Sequence, residues 1–261
     1  MPNFGVIYAA LFEEYRQKVN GFHFSMRDLK TREQASMGLD DYSCSFGSEV
    51  DAERVIGMAQ EKIFRQLIYA AQKQFAPPGG LLSIDEFATK RVCGMYNTEK
   101  RLDFVKVWAY LEETYGGDRG VEEAWRQAAK ALGKEFGLSR DTAVEVRGGK
   151  TILHIRIYID SFDKKNGKNK ISYTCCERIG TTFHQLQAFA SWAELKDLCD
   201  SLDIAGRRLS NHHEEIVSRA NYGGNGIQVV TFLNRYEFRF MPEVAEQFQI
   251  FIGTFGFEEA A

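Results

Sequence analysis

The sequence predicts an α+β protein: a helix-rich N-terminal half, and a C-terminal half in which an antiparallel β-meander and a hairpin pack with helices. Three observations predict it. Apolar residues recur at three- and four-residue spacing through much of residues 1–142. At Ala143 the period drops to two, and Leu153, Ile155, Ile157 and Ile159 alternate with His154, Arg156, Tyr158 and Asp160. Glycine pairs then punctuate the strands, Gly148-Gly149 being a two-residue hairpin signal. The 261 residues suffice for a sizeable core, as one continuous domain or as a mainly helical lobe (1–142) and an α+β lobe (143–261).

The elements follow in order. Ile7, Leu11, Tyr15 and Val19 line one face of a first helix, which Asn20-Gly21 is expected to stop. Residues 22–48 are irregular, with a short helical piece over Thr31–Met37. Ser48 reads as an N-cap, with Glu49, Asp51 and Glu53 in the first turn of a long helix to about Phe75. Val55, Ala59, Ile63, Leu67 and Ala70 are its expected buried stripe. "APPGG" ends it, and Ser83 is expected to cap a short helix to about Lys90. Phe104–Tyr115 reads as a helix, "GGDRG" as a break, and Val121, Trp125, Ala128, Ala129 and Leu132 as a further helix ending near Gly137.

In the second half, strands on either side of Gly148-Gly149 and a third over Ile171–Arg178 form the expected meander, joined by a loop containing Asn166-Gly167. Two helices follow, Ser191-x-x-Glu194 being a capping box for the second. A third is expected over 207–220. "NYGGNG" reads as a loop, Ile227–Leu233 and Tyr236–Phe240 as a hairpin, and Pro242 as the first-turn residue of a last helix.

Net charge is −3, so attraction to phosphate must come from a local patch. Aromatic residues, 20 of them Phe, favour large buried or interfacial clusters. The start carries no secretory pattern, and no stretch approaches the roughly 18 apolar residues of a membrane helix. Five cysteines without framework spacing fit a reducing cytosol, so a cytoplasmic protein without membrane contact is expected.

"IDEFATKRVCGM" (84–95), "RLDFVKVWAYLE" (101–112) and the closing "IQVVTFLNRYEFRFMPEVAEQF" (227–248) resemble segments of an uncharacterised domain family carried by plasmids and prophages and sometimes fused to DNA methyltransferase-like regions. The resemblance covers about a third of the chain, mostly at apolar positions. It departs at the closing turn, where the family has Asn-Gly-Asn and then a histidine; here Arg235 follows Asn234 and Glu237 stands near the histidine's place. The family has no established catalytic residues. The resemblance implies a mobile-element or phage setting, in which proteins often bind or evade host DNA and defence machinery.

Four features carry candidate chemistry. Lys164, Lys165, Lys168 and Lys170 sit at an expected hairpin tip, with Arg156 and Tyr158 behind them and Arg147 and Lys150 beside the neighbouring turn. Together these eight residues could neutralise phosphates or meet a partner, and Tyr158 or Tyr173 could stack on a base; a lysine-rich tip also serves solubility and blocks edge pairing. Cys175-Cys176 on a strand would diverge to opposite faces, against metal or disulfide chemistry. His212 and Glu215, three apart on an expected helix, have the spacing of a carboxylate-type metal site; His184, Asp200 and Asp203 are further ligands only if the fold brings them close, and a solvated helix face is the plainer account of the pair. Asp141 with Glu145-Val146-Arg147 imitates a nuclease motif poorly. "GGDRG" lacks the Lys-Ser/Thr of a phosphate loop, "YGGNG" leads into a strand, and G-x-S-x-G and H-E-x-x-H do not occur.

The leading expectation is therefore a non-enzymatic phage or mobile-element protein that binds a host macromolecule, as an inhibitor of host defence machinery. The alternatives are a nucleic-acid-binding accessory using the basic hairpin, and a metal-dependent hydrolase. No cofactor is expected; a host protein partner leads, with nucleic acid and a homo-oligomer left open.

Overall fold

The computed structural model describes residues 3–37, 52–94, 102–139 and 144–257. Ser48, Glu49, Asp51, Asp141 and Ala143, singled out above, lie outside the described residues. The fold is α+β, and the chain divides into two compact units: Met1–Gln74 with Ile84–Gly116, and Phe75–Ser83 with Gly117–Ala261.

The first unit is helical. α1 (Phe4–Met37) runs straight through Asn20-Gly21. One helical glycine costs about 1 kcal/mol against alanine, too little to stop a helix favoured on both sides. Ile7, Leu11 and Tyr15 do share a face, but that face is exposed. α1 instead seats Phe4 on Trp108 and Phe12 on Phe104, edge to face at 5.2 and 5.3 Å, along α4 (Phe104–Tyr115). In α2 (Ala52–Phe75) the buried stripe is Phe64, Leu67, Ile68 and Ala71, displaced from the expected one and sharing only Leu67. α3 (Glu86–Val92) is capped by Asp85, not Ser83: its carboxylate accepts the Ala88 N–H at 2.9 Å. Asp103 caps α4 in the same way.

The second unit holds the sheet. α5 (Asp118–Phe136) ends at Gly137 in the left-handed conformation, as expected. β1 (Glu145–Arg147) and β2 (Lys150–Arg156) turn at Gly148 and Gly149, whose φ values of 58° and 75° suit a tight primed turn. β2 then pairs not with residues 171–178 but with β5 (Arg235–Phe240). Residues 173–192 form helix α7, because Cys175 and Cys176, Ile179, Phe183 and Leu186 continue a period of three to four that outruns the short strand-like start. Both cysteines are consequently buried in the core instead of diverging.

α7 swallows the expected capping box. Ser191 is its penultimate residue, Glu194 adopts a φ of 58°, and α8 (Lys196–Leu209) starts without a side-chain cap. The expected third helix is absent from residues 210–220. Ser210 Oγ bonds back to the Gly206 carbonyl, and Asn211 Oδ1 accepts the His213 N–H, so local side-chain bonds replace the helical ladder. "NYGGNG" supplies a short strand, β3 (Asn221–Gly224), which with β4 (Ile227–Thr231) and β5 makes a three-strand meander. The antiparallel sheet order is β1-β2-β5-β4-β3. α9 (Pro242–Phe255) closes the unit.

One sheet face meets the helices. Leu153, Ile155, Tyr236, Phe238 and Phe240 point into a core that α7 and α9 share. Phe136, Phe183, Phe189 and Phe248 pack around Phe238 and Phe240 with ring centroids 4.9 to 6.5 Å apart, the aromatic cluster that the composition predicts.

Candidate functional site

The other sheet face is charged. Directly paired residues of an antiparallel sheet share a face. The register therefore lays out rows: Arg147 beside Lys150; Glu145, Ile152, Arg239 and Gln228; His154, Glu237 and Val230; Arg156 beside Arg235. Five cations and two carboxylates stand here, contributed by three strands, β1, β2 and β5. Arg147 and Lys150, and again Arg156 and Arg235, are like charges directly opposite one another, an arrangement that costs stability.

The two carboxylates hold the array. Glu237 is only 1% exposed and accepts from Arg235 at 3.0 Å and Arg239 at 2.9 Å. Burial alone would lift its carboxyl; the hydrogen bonds from Arg239 and Arg235 outweigh that and hold it below the usual range. Glu145 binds the Arg147 guanidinium and lies 3.0 Å from His154 Nε2, and those bonds draw its carboxyl down to about 2. Lys150 reaches only a neutral group, Gln228 Oε1 at 2.9 Å. Arg156 has no ion-pair partner among the described residues.

Beyond Arg156 the chain makes an excursion. Ile157 still bonds to the Asn234 carbonyl, and Ile159 bridges Ile171. Between them the expected hairpin tip is a one-turn helix, α6 (Ser161–Lys165), because the Asp160 carboxylate accepts the Phe162 and Asp163 N–H groups. Lys164, Lys165 and Lys168 are exposed and Lys170 is half-buried; none of the four has a carboxylate partner among the described residues. Tyr158, Phe162 and Tyr173 around them are 63, 73 and 67% exposed.

Of the residues the sequence nominates, the structure thus brings Arg147, Lys150 and Arg156 onto one face. Tyr158 and the four lysines lie on the excursion that continues from it. Arg235, Glu237, Arg239 and His154 were not nominated. The signal for the first three is the alternation of "RYEFRF", which sends Tyr236, Phe238 and Phe240 to the core face and the charged residues to the other; His154 has the same signal in the alternation of "ILHIR".

The metal reading loses its geometry. His212 and Glu215 do not share a helix: His212 stacks on His213 at 3.8 Å, and the backbone of Glu215 bridges Lys170. His184, Asp200 and Asp203 do come together, with Cys199, around a separate groove of about 1050 Å³. Burial pushes the Cys199 thiol up, and it donates to the Gln187 carbonyl at 3.5 Å, so it is not poised as a thiolate. Among the described residues no group of three or more His, Cys, Asp or Glu is placed to hold a metal ion, and no helix is long and apolar enough to cross a membrane.

Comparison with models of known families, with curated proteins and with solved structures finds no match to this chain.

Proposed function

We propose that this protein acts by binding a macromolecule, and that the macromolecule is single-stranded nucleic acid lying across the charged sheet face and the lysine excursion. The observation that carries the reading is the pair of cross-strand cation neighbours, Arg147 with Lys150 and Arg156 with Arg235. Glu145 on Arg147 and Glu237 on Arg235 offset part of the repulsion, and each pair still costs up to about 1 kcal/mol where no further anion reaches Lys150 or Arg156. A chain of phosphates is such an anion. The exposed rings of Tyr158, Phe162 and Tyr173 favour nucleic acid over other polyanions, since a base stacked on an aromatic ring gains about 1–3 kcal/mol.

On the sheet face and the excursion, six cations have no carboxylate partner among the described residues: Lys150, Arg156, Lys164, Lys165, Lys168 and Lys170. Engaging three to six of them on a single strand gives a slope of log K against log salt between about −2 and −4. Fluorescence anisotropy with labelled single- and double-stranded oligonucleotides over a salt series tests this. Changing all four lysines to Glu should abolish binding. Wild-type affinity in that variant, or a slope near zero, rejects the reading.

The resemblance to the mobile-element family supports a plasmid or phage setting, with host DNA or host defence machinery as the target. An affinity pull-down from the host, with and without nuclease, separates the partner classes. A protein retained after nuclease treatment favours a direct protein partner; capture that nuclease abolishes favours nucleic acid.

A further inference from the structure

A groove of about 950 Å³ borders the charged face where β2 passes the end of α5 and one side of α7. Lys134 of α5, His154 and Arg156 of β2, and Arg178, Thr181 and Gln185 of α7 line it. His154 and Arg156 belong to both surfaces, so groove and sheet face are continuous.

Two of its four cationic or imidazole groups lack an acidic partner and two are partly engaged. Lys134 and Arg156 have no carboxylate partner among the described residues. His154 Nε2 is engaged by Glu145, while its Nδ1 is buried without a hydrogen-bond partner. Arg178 is anchored by donating to the Arg156 carbonyl, and its Nε, 3.5 Å from Glu135, makes no hydrogen bond. Two features oppose an anion: the Glu135 carboxylate and the carbonyl end of α5. Lys134, in the last turn of α5, sits where it offsets that end.

An internal phosphodiester carries one charge, whereas a phosphate monoester carries about 1.5 to 2 at neutral pH and three free oxygens. A recess lined by cations from three elements, beside a surface that takes the chain, fits the monoester better. We infer that this groove receives a terminal phosphate of the bound nucleic acid. The inference rests on the nucleic-acid reading above.

The test compares one oligonucleotide with hydroxyl ends, with a 5′-phosphate and with a 3′-phosphate, alongside a free nucleoside monophosphate, by anisotropy and calorimetry. One phosphorylated form should bind about tenfold tighter than the hydroxyl-ended one, equivalent to about 1.4 kcal/mol. Lys134→Gln should remove that advantage and leave the hydroxyl-ended affinity unchanged; Lys134→Arg should keep it. Lys134 is exposed, so neither change threatens folding. Equal affinity for all three oligonucleotides overturns the end-binding groove and leaves the nucleic-acid reading standing. Binding of the nucleoside monophosphate alone keeps a phosphate site but removes the nucleic-acid reading. Binding of none overturns both.

Discussion

Glu237→Gln should lower stability and raise affinity for nucleic acid together. Glu237 is 1% exposed, and its carboxylate accepts at 3.0 and 2.9 Å from arginines whose side chains are 40 and 28% exposed. A hydrogen bond to a charged group contributes about 1.5–3 kcal/mol. The amide keeps one acceptor oxygen, and both arginines can turn partly to water, so the net loss should be about 1–3 kcal/mol. With a urea m-value of about 1–3 kcal/mol/M, the midpoint should fall by roughly 0.5–1.5 M. The carboxyl is held below its ordinary value, so its contribution is full above the unfolded pKa and fades as pH falls through the folded one. The difference between wild type and variant should therefore shrink in acid. Binding moves the other way. A unit charge about 6 Å from a phosphate is worth about 0.7 kcal/mol in a water-like dielectric, so removing it should tighten binding about threefold at low salt. Loss of stability without tighter binding would refute the placement of the anion on this face. Unchanged stability would refute the pinning role of Glu237.

Three further outcomes follow from the same geometry. Tyr158→Ala should weaken binding by about 1–3 kcal/mol without altering the salt slope, whereas Lys164→Gln should reduce the slope by about 0.7; anisotropy over a salt series separates a stacked ring from a phosphate contact. The Glu145 carboxyl titrates at about 2, so the wild type should lose stability between about pH 4.5 and 2 in a way that Glu145→Gln does not, read from urea melts over that range. Gly206→Ala places a Cβ 2.9 Å from Phe183 Cβ, where α8 meets α7. Its gain in helix propensity, at most about 1 kcal/mol, is smaller than the roughly 1–3 kcal/mol of overpacking, so the denaturation midpoint should fall.

Much of the fold was legible because most elements obey their own periodicity. α4, the end of α5, the Gly148-Gly149 turn, the β4–β5 hairpin and the Pro242 start all stand where local pattern puts them. The failures share a cause. "ISYTCC" has strand-like residues, yet α7 runs on for 20 residues and buries Cys175, Cys176, Ile179 and Phe183 on one side. A six-residue window lets local propensity speak before the longer period is visible. At Gly21 the balance runs the other way: one unfavourable residue does not end a helix that its neighbours on both sides continue.

The candidate site was only half legible, because its remaining half depends on which strands pair. Arg156 and Arg235 are 79 positions apart, and nothing in either segment says that they stand side by side. The expected meander would have put residues 171–178 beside β2. That partner offers no cation ladder, and the basic tip would then have been an isolated hairpin with the ordinary task of staying soluble. Pairing β2 with β5 changes the physics. It sets Arg235 against Arg156, brings His154 beside Glu237, and leaves a buried carboxylate to hold two arginines in place. Like charges directly opposite one another weaken a sheet, and Arg156 has no ion-pair partner among the described residues to offset its place beside Arg235. Glu145 and Glu237 relieve Arg147 and Arg235 in part, while Lys150 and Arg156 stand opposite them without a carboxylate of their own among the described residues, and that uneven balance is what the proposed anion would complete.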